Sequence, residues 1–443
     1  MSTRITNAVI LTLNDRLDVV TGDVGIVDGR IVFAGTPSAE EHGIRFDETL
    51  DAAGGYLLPG FIQTHIHLCQ TIFRSMADDL PLLDWLRARV WPLEAAHDQD
   101  TLAAAARLAA AELLKSGTTS VLTMETVHGT ETVFEALEPT GLRATVGKCL
   151  MDADELAPAP LKQDAATGIE ESLALHARWH GAAEGRLRFA LAPRFAVSCS
   201  RDMLERVADA SSVHNLLVHT HASENRDEVA LVERLTGMSN LDYFAATGLA
   251  NDRLCAAHCV WVSDAEQGLM AERGVRVMHC PSSNLKLGSG IAPVADMRRR
   301  GISVSLGADG AACSNSLDMF HEMRLAATLQ AVRIGPGALT ARDALWMATR
   351  EGARALGLED EIGSIEPGKR ADLVLLRPRP LHHAPDRDPY STIVYAARPD
   401  DVRATWVDGH KLVSDGRLVR DDEAALAALA GEAATALAGR ALL

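Results

Sequence analysis

No run in the 443-residue chain approaches 18 uncharged apolar residues, which excludes a transmembrane helix at the level of sequence. The opening residues, MSTRITNAVILTLNDRLD, lack the layout of a signal peptide. Cysteine is counted at seven, an odd number with no Cys-x-x-Cys pair. That argues against a disulfide framework, and a reducing cytoplasm is the expected location. Basic charge is outnumbered: Lys plus Arg is 43 against 60 Asp plus Glu, a formal net charge of −17. A surface this acidic repels phosphate backbones and anionic lipid, so neither nucleic acid nor a membrane is an expected partner. The chain has no Gly-x-x-x-x-Gly-Lys-Ser/Thr loop, no Gly-x-Gly-x-x-Gly after a strand and no Gly-x-Ser-x-Gly elbow. It also lacks a His-x-Glu followed by Pro-Cys-x-x-Cys, which excludes the cytidine-deaminase type of zinc site.

What remains is ordinary globular composition, 47% hydrophobic and 23% charged. A chain of this length buries a large core without covalent staples. Its two ends read as β: ITNAVILTL and the hairpin VGIVDGRIVFAG at the start, then ADLVLL, STIVYAA, ATWVDGHKLV and SDGRLVR near the end. Residues 1–57 and 366–443 are therefore expected to form one composite β domain, closed by an Ala-rich C-terminal helix. Between them, residues 58–365 alternate strand-like runs with helix formers. The eight runs are YLLPGFIQTHIH, TTSVLTME, RATVGKCLM, RFALAPRFA, NLLVHTHASE, RLCAAHCVWV, GVRVMHCPSSN and GISVSLGADG. Strands alternating with helices imply parallel βαβ units, and eight of them fit an α/β fold of the (β/α)8 barrel type.

The C-terminal ends of these runs carry His65 and His67, Glu125, Lys148, Arg194, His221 with Glu224, His258, His279 and Asp309. One polar residue at a strand end is an ordinary loop feature. Polar residues at nearly every end mark the face where barrel active sites lie. His65 and His67 alternate along a strand, so both imidazoles point to one side and can converge on a cation. With His221 and Asp309 they make a His3Asp set of the kind zinc takes, and iron(II) or manganese(II) is also tolerated. Glu224, three residues past His221, is placed to shuttle protons, and His258 to polarise a hydroxide or a developing oxyanion. Cys69, Cys259, Cys280 and Cys313 adjoin these motifs and read as small packing residues.

The blocks PGFIQTHIHLCQ, HTHASEN, AHCVWVSDAE, HCPSSNLKLGSGIAPV and LGADGAACSNSLDM, in this order, resemble the amidohydrolase superfamily and its deaminase and chlorohydrolase branch. IGSIEPGKRADLVLL is similar to the segment where members of that branch re-enter their composite β domain. The resemblance implies one zinc held by His65, His67, His221 and Asp309, with Glu224, His258 and Asp309 as the catalytic set. RFALAPRFA contains no lysine, which argues against a dinuclear site built on a carboxylated lysine. Substrate signals divide. ADDLPLLDWLRARVWPLE resembles the deaminases of 5′-deoxyadenosine, methylthioadenosine or S-adenosylhomocysteine, which implies Trp85 beside the substrate and Glu94 on the ribose hydroxyls. Gln70 in His-x-x-Gln and Arg194 in PRFAVSC resemble guanine deaminases, where the matching pair holds the purine carbonyl; in an adenosine-type pocket Arg194 would bond N3 or a ribose oxygen. The expectation is an amino-purine deaminase, with guanine the second choice and pterins or triazines further off. A homo-oligomer is implied by the resemblance alone.

Overall fold

The computed structural model describes residues 2–153 and 157–443. Met1, within the expected composite domain, and residues 154–156, within the expected barrel, lie outside the described residues.

The strands are β1 (Ser2–Leu11), β2 (Val19–Val27), β3 (Arg30–Gly35), β4 (Glu48–Asp51), β5 (Tyr56–Pro59), β6 (Phe61–Ile66), β7 (Thr118–Met124), β8 (Arg143–Leu150) and β9 (Leu187–Pro193). They continue with β10 (Val218–Ala222), β11 (Leu254–His258), β12 (Arg276–His279), β13 (Val304–Leu306), β14 (Leu373–Leu376), β15 (Val402–Val407), β16 (His410–Ser414) and β17 (Arg417–Leu418). β6 to β13 form an eight-stranded sheet in chain order, paired in parallel throughout. Its two ends meet: Asp309 N donates to His65 O at 3.1 Å, and Thr64 Oγ1 donates to Leu306 O at 3.0 Å. Gly307 permits that closure, because a Cβ there would lie 2.5 Å from His65 O. Every position of β7 and β8 is buried, as expected of parallel strands covered on both sides. The barrel and its helical partners are the expected (β/α)8 arrangement.

Both termini build the second sheet, in the order β17-β16-β15-β14-β5-β1-β2-β3 with β4 beside β1. The Asp-Gly turns at Asp28-Gly29, Asp408-Gly409 and Asp415-Gly416 link β2 to β3, β15 to β16 and β16 to β17, with positive φ at Asp408 (49°) and Gly409 (72°).

Two local expectations change. YLLPGFIQTHIH is two strands, since β5 belongs to the terminal sheet and β6 to the barrel. They divide at Gly60, where a Cβ would fall 2.1 Å from Thr119 Oγ1. STIVYAA is not a strand. Asp388 caps Pro389–Ser391 by accepting from Tyr390 N, and Thr392–Ala396 continues as a helical turn with Ile393 and Val394 in the main core. Tertiary packing here overrides the β preference of branched residues. The C-terminal helix, Glu423–Ala441, lies on the barrel helix Gln99–Lys115, joined by Arg107–Asp421, Lys115–Glu423 and Arg440–Asp98 ion pairs.

The barrel is fastened to the terminal sheet by a buried charge cluster. Arg143, at the start of β8, donates to Asp372 Oδ2 at 2.8 Å, to Asp372 Oδ1 at 3.0 Å and to Asp408 Oδ1 at 2.8 Å. Removing the arginine would leave the buried Asp372 without its cation, which typically costs about 3–5 kcal/mol, while Asp408 keeps Arg370 Nη1 at 2.7 Å. Arg143→Leu should therefore lower stability by that amount in urea unfolding. A loss below about 1 kcal/mol, the range of exposed ion pairs, would show that the clamp is idle.

Candidate active site

The C-terminal ends of β6, β10 and β13 bring His65, His67, His221 and Asp309 together. His65 Nε2 and His67 Nε2 each lie 3.3 Å from Asp309 Oδ1, and His221 Nε2 lies 3.3 Å from His67 Nε2. Neighbouring ligands around a tetrahedral ion with bonds of about 2.0–2.1 Å stand about 3.3 Å apart. The outer nitrogens explain why the inner ones are available. His67 Nδ1 faces Met124 O and His221 Nδ1 faces Arg194 O, both at 2.7 Å. A carbonyl only accepts, so each Nδ1 carries the proton and each Nε2 keeps its lone pair. His65 reaches the same state through His219. His219 Nδ1 donates to Thr123 O at 3.2 Å, leaving its Nε2 to accept from His65 Nδ1 at 2.7 Å. His65 Nε2 is then a buried lone pair with no hydrogen-bond partner. Three imidazole lone pairs and a carboxylate converging at this spacing fit a divalent transition-metal ion.

Burial pushes His65 down to about 4 and His219 and His221 well below the usual histidine range. Burial alone would raise Asp309, but the facing His65 and His67 rings hold it well below the usual carboxylate range. Ser283 Oγ also donates to Asp309 Oδ2 at 2.7 Å and Gly310 N to Oδ1 at 2.7 Å. Ser223, His258, Cys259 and Asp309 have φ of 49°, 69°, 47° and 62°. Left-handed backbone at four such residues is strain concentrated around the site.

Glu224 and His258 stand against this centre, with His258 Nε2 3.5 Å from Glu224 Oε2 and 4.0 Å from Asp309 Oδ2. His258 Nδ1 is held by Asn284 Oδ1 at 2.8 Å. Burial raises the Glu224 carboxyl above its ordinary value. Its main chain is fixed by a second buried acid, as Glu224 N donates to Glu228 Oε2 at 3.1 Å. Leu82, Trp85, Leu86 and Phe195 cover the opening, leaving a cavity of about 20 Å³, room for a single water. Three of these cover residues belong to the helical turns Leu82–Trp85 and Leu86–Val90. A roomier surface cleft of about 590 Å³ lies beside the helix Gln99–Lys115 and contains none of these groups.

Gln70 and Arg194 line the cavity and Glu94 stands behind them, bonded to both. Glu125, Lys148 and His279 stay outside. Glu125 accepts from Leu68 N and Cys69 N, fixing the turn after His67. Lys148 donates to Val127 O and Gln163 Oε1, and His279 is a core residue. The seven cysteines are unpaired and buried, in keeping with packing roles. His219, Ser283 and Asn284 join the site without having been expected there. His219-Thr220-His221 repeats the alternation of His65-Ile66-His67, a signal that the sequence does carry. A second grouping, His382, His383 and Asp401, has both Nε2 atoms at Asp401 Oδ2 (2.8 and 3.2 Å). The buried His383 Nδ1 lacks the outer partner that every ligand imidazole above possesses, so this grouping reads as hydrogen bonding.

A barrel with this donor set at its strand ends is the framework of a metal-assisted hydrolase. The profile of the amidohydrolase family matches residues 56–412, and the chain belongs to that family. It is 42% identical over 394 residues to a 5′-deoxyadenosine deaminase of Methanothermobacter thermautotrophicus, covering 89% of this chain and 90% of that one. It is 42% identical over 404 residues to a 5-methylthioadenosine/S-adenosylhomocysteine deaminase of Desulforudis audaxviator, covering 91% and 92%. Among solved structures, a zinc-bound adenosine deaminase from Xanthomonas campestris superposes with a TM-score of 0.91 at 35% identity, covering 99% of this chain and 98% of that one.

Two outcomes follow from this geometry. Losing an outer-shell partner of a ligand histidine typically costs about 10–100-fold in metal affinity. His219→Ala should show that loss in a chelator competition, and unchanged retention would remove His219 from the centre. Burial, then repulsion from Glu224, lifts Glu228 to about 8. The folded state thus binds a proton that the unfolded chain, titrating near 4.5, releases; stability is present below that value and is lost as pH rises to about 8. Glu228→Gln should gain on the parent in urea unfolding at pH 8 relative to pH 5. Equal differences at both pH values would exclude a buried titrating acid.

Proposed function

We propose that this chain is a zinc-dependent hydrolytic deaminase of an amino-purine, acting on an adenosine-type nucleoside such as 5′-deoxyadenosine, methylthioadenosine or S-adenosylhomocysteine and releasing ammonia. The observation that carries the reading is the meeting of the His65–His67–His221–Asp309 set with Glu224 and His258 in one buried pocket. The names of the relatives support the substrate class. A cytoplasmic homo-oligomer goes with the reading, and no helix among the described residues is long and apolar enough to cross a membrane.

Zinc bound by His65, His67, His221 and Asp309 would supply a nucleophile at neutral pH by lowering the pKa of water to about 7. The surrounding residues manage protons and charge. Asp309, held ionised, takes a proton from the attacking water at Oδ2, where Ser283 also donates. Glu224, its proton affinity raised by burial, gives a proton to the ring nitrogen next to the amino-bearing carbon, so negative charge does not build on the ring. His258 Nε2 is buried with no hydrogen-bond partner, and with a second proton on the ring it donates to the attacking oxygen in the tetrahedral intermediate. A relayed proton turns the amino group into ammonia. Leu82, Trp85 and Leu86 exclude bulk water while this happens.

A second reading, guanine deamination, is favoured by one observation: Gln70 and Arg194 both line the cavity. Ammonia release from 5′-deoxyadenosine, methylthioadenosine and guanine, with Asp309→Asn as the blank, separates the two. The nucleosides are expected to react, and guanine alone reacting would reverse the assignment. A positioned acid or base contributes about 10²–10⁴-fold, so Glu224→Gln should lose at least about two orders of magnitude in kcat while keeping its metal. A fully active Glu224→Gln enzyme would remove Glu224 from the mechanism.

A further inference from the structure

Glu94 does not present an open carboxylate to the cavity. Its Oε2 accepts from Arg194 Nη1 at 2.6 Å, and its Oε1 accepts from Arg194 Nη2 at 3.2 Å and from Gln70 Nε2 at 2.9 Å. The Arg194 and Glu94 side chains are 3% and 1% exposed. Three of roughly four acceptor positions on the carboxylate are taken, so little is left for a ribose diol. Glu94 is not among the residues lining the cavity, whereas Gln70 and Arg194 are. The carboxylate also decides how the Gln70 amide is turned. Only the NH₂ end can face an acceptor, which leaves Oε1 as the free end, buried without a partner. That carbonyl packs on Gly310, where a Cβ would lie 2.1 Å from it. Arg194 is anchored through its main chain as well, with N donating to Leu150 O and O accepting from His221.

We propose that Glu94 is a positioning residue that holds Arg194 as a donor facing the substrate, with Gln70 bracing the carboxylate. Resting on the nucleoside reading above, Arg194 would serve the purine edge remote from the reacting amidine. Arg194 donates to the lone pair of N3, while the Gln70 NH₂ steadies the Glu94 carboxylate from the other side. Glu94 then acts through Arg194, and its contribution does not depend on the ribose diol.

The test is a double-mutant cycle, Glu94→Gln, Arg194→Gln and both together, assayed with adenosine and 2′,3′-dideoxyadenosine on zinc-loaded enzyme. Losing a hydrogen bond to a charged group typically costs about tenfold or more, so Glu94→Gln should lower kcat/KM by that factor on both nucleosides alike. Once Arg194 is gone, Glu94→Gln should change kcat/KM by less than about twofold, because residues of one network are non-additive. A loss confined to adenosine, or additive effects, would overturn the proposal in favour of direct ribose reading. If Glu94→Gln fails to fold, Glu94→Asp keeps the charge, draws the guanidinium back and should give the same equal losses. The cycle is also read in melting temperature, without substrate. Coupled shifts support the proposal and additive shifts overturn it. Wild-type silence on both nucleosides would sink the nucleoside reading while the melting cycle still decides the Glu94–Arg194 coupling.

Discussion

Three imidazole nitrogens aimed at one point, with a carboxylate beside them, is an arrangement that isolated strands would not hold. Each Nε2 must give up its hydrogen bond to water, and leaving a buried polar atom unpaired costs about 1–3 kcal/mol. The cost is tolerated because the other nitrogen of every ring is tied to an acceptor: Met124 O, Arg194 O, and His219 backed by Thr123 O. Those acceptors sit on neighbouring barrel strands or directly after them, so the tautomers are set by the closed parallel sheet. Closure in turn needs Gly307, since any side chain there would strike His65. A change far from the chemistry that loosened the β13–β6 seam would therefore release Asp309 and His65 together.

Much of this is legible in the amino-acid sequence, for identifiable reasons. A strand places alternate residues on one face, so the pattern His65-Ile66-His67 already dictates that its two imidazoles share a side. The Asp-Gly turns mark their hairpins because few other dipeptides suit that backbone. Legibility ends where a residue's meaning depends on distant partners. Gly60 separates two sheets because Thr119 lies against it, and nothing near Gly60 in the chain says so. STIVYAA has strand composition and is wound into a helical turn by its cap and its core contacts. The resemblance of the Trp85–Glu94 segment implies contact with substrate along its length, yet Glu94 pairs with Arg194, 100 residues away, inside the fold.

That ion pair also bears on what the pocket is for. Burying a guanidinium and a carboxylate removes both from water, and well-packed apolar residues of similar volume are often as stable or more so. Stability alone therefore gives a weak account of Glu94 and Arg194. The pair makes better sense as a fixed dipole: its cationic end and the Gln70 carbonyl stand at the cavity wall, oriented before any ligand arrives. Preorganised donors of this kind need no rearrangement at the moment of reaction, and the apolar cover of Leu82, Trp85 and Leu86 keeps the local dielectric low, where such dipoles act most strongly. The same cover leaves a cavity of only about 20 Å³. The cover residues lie in Leu82–Val90, and Glu94, in the following helical turn, is locked to Arg194. One short segment thus supplies both the apolar cover, at one end, and the anchor that orients the pocket's cationic wall, at the other.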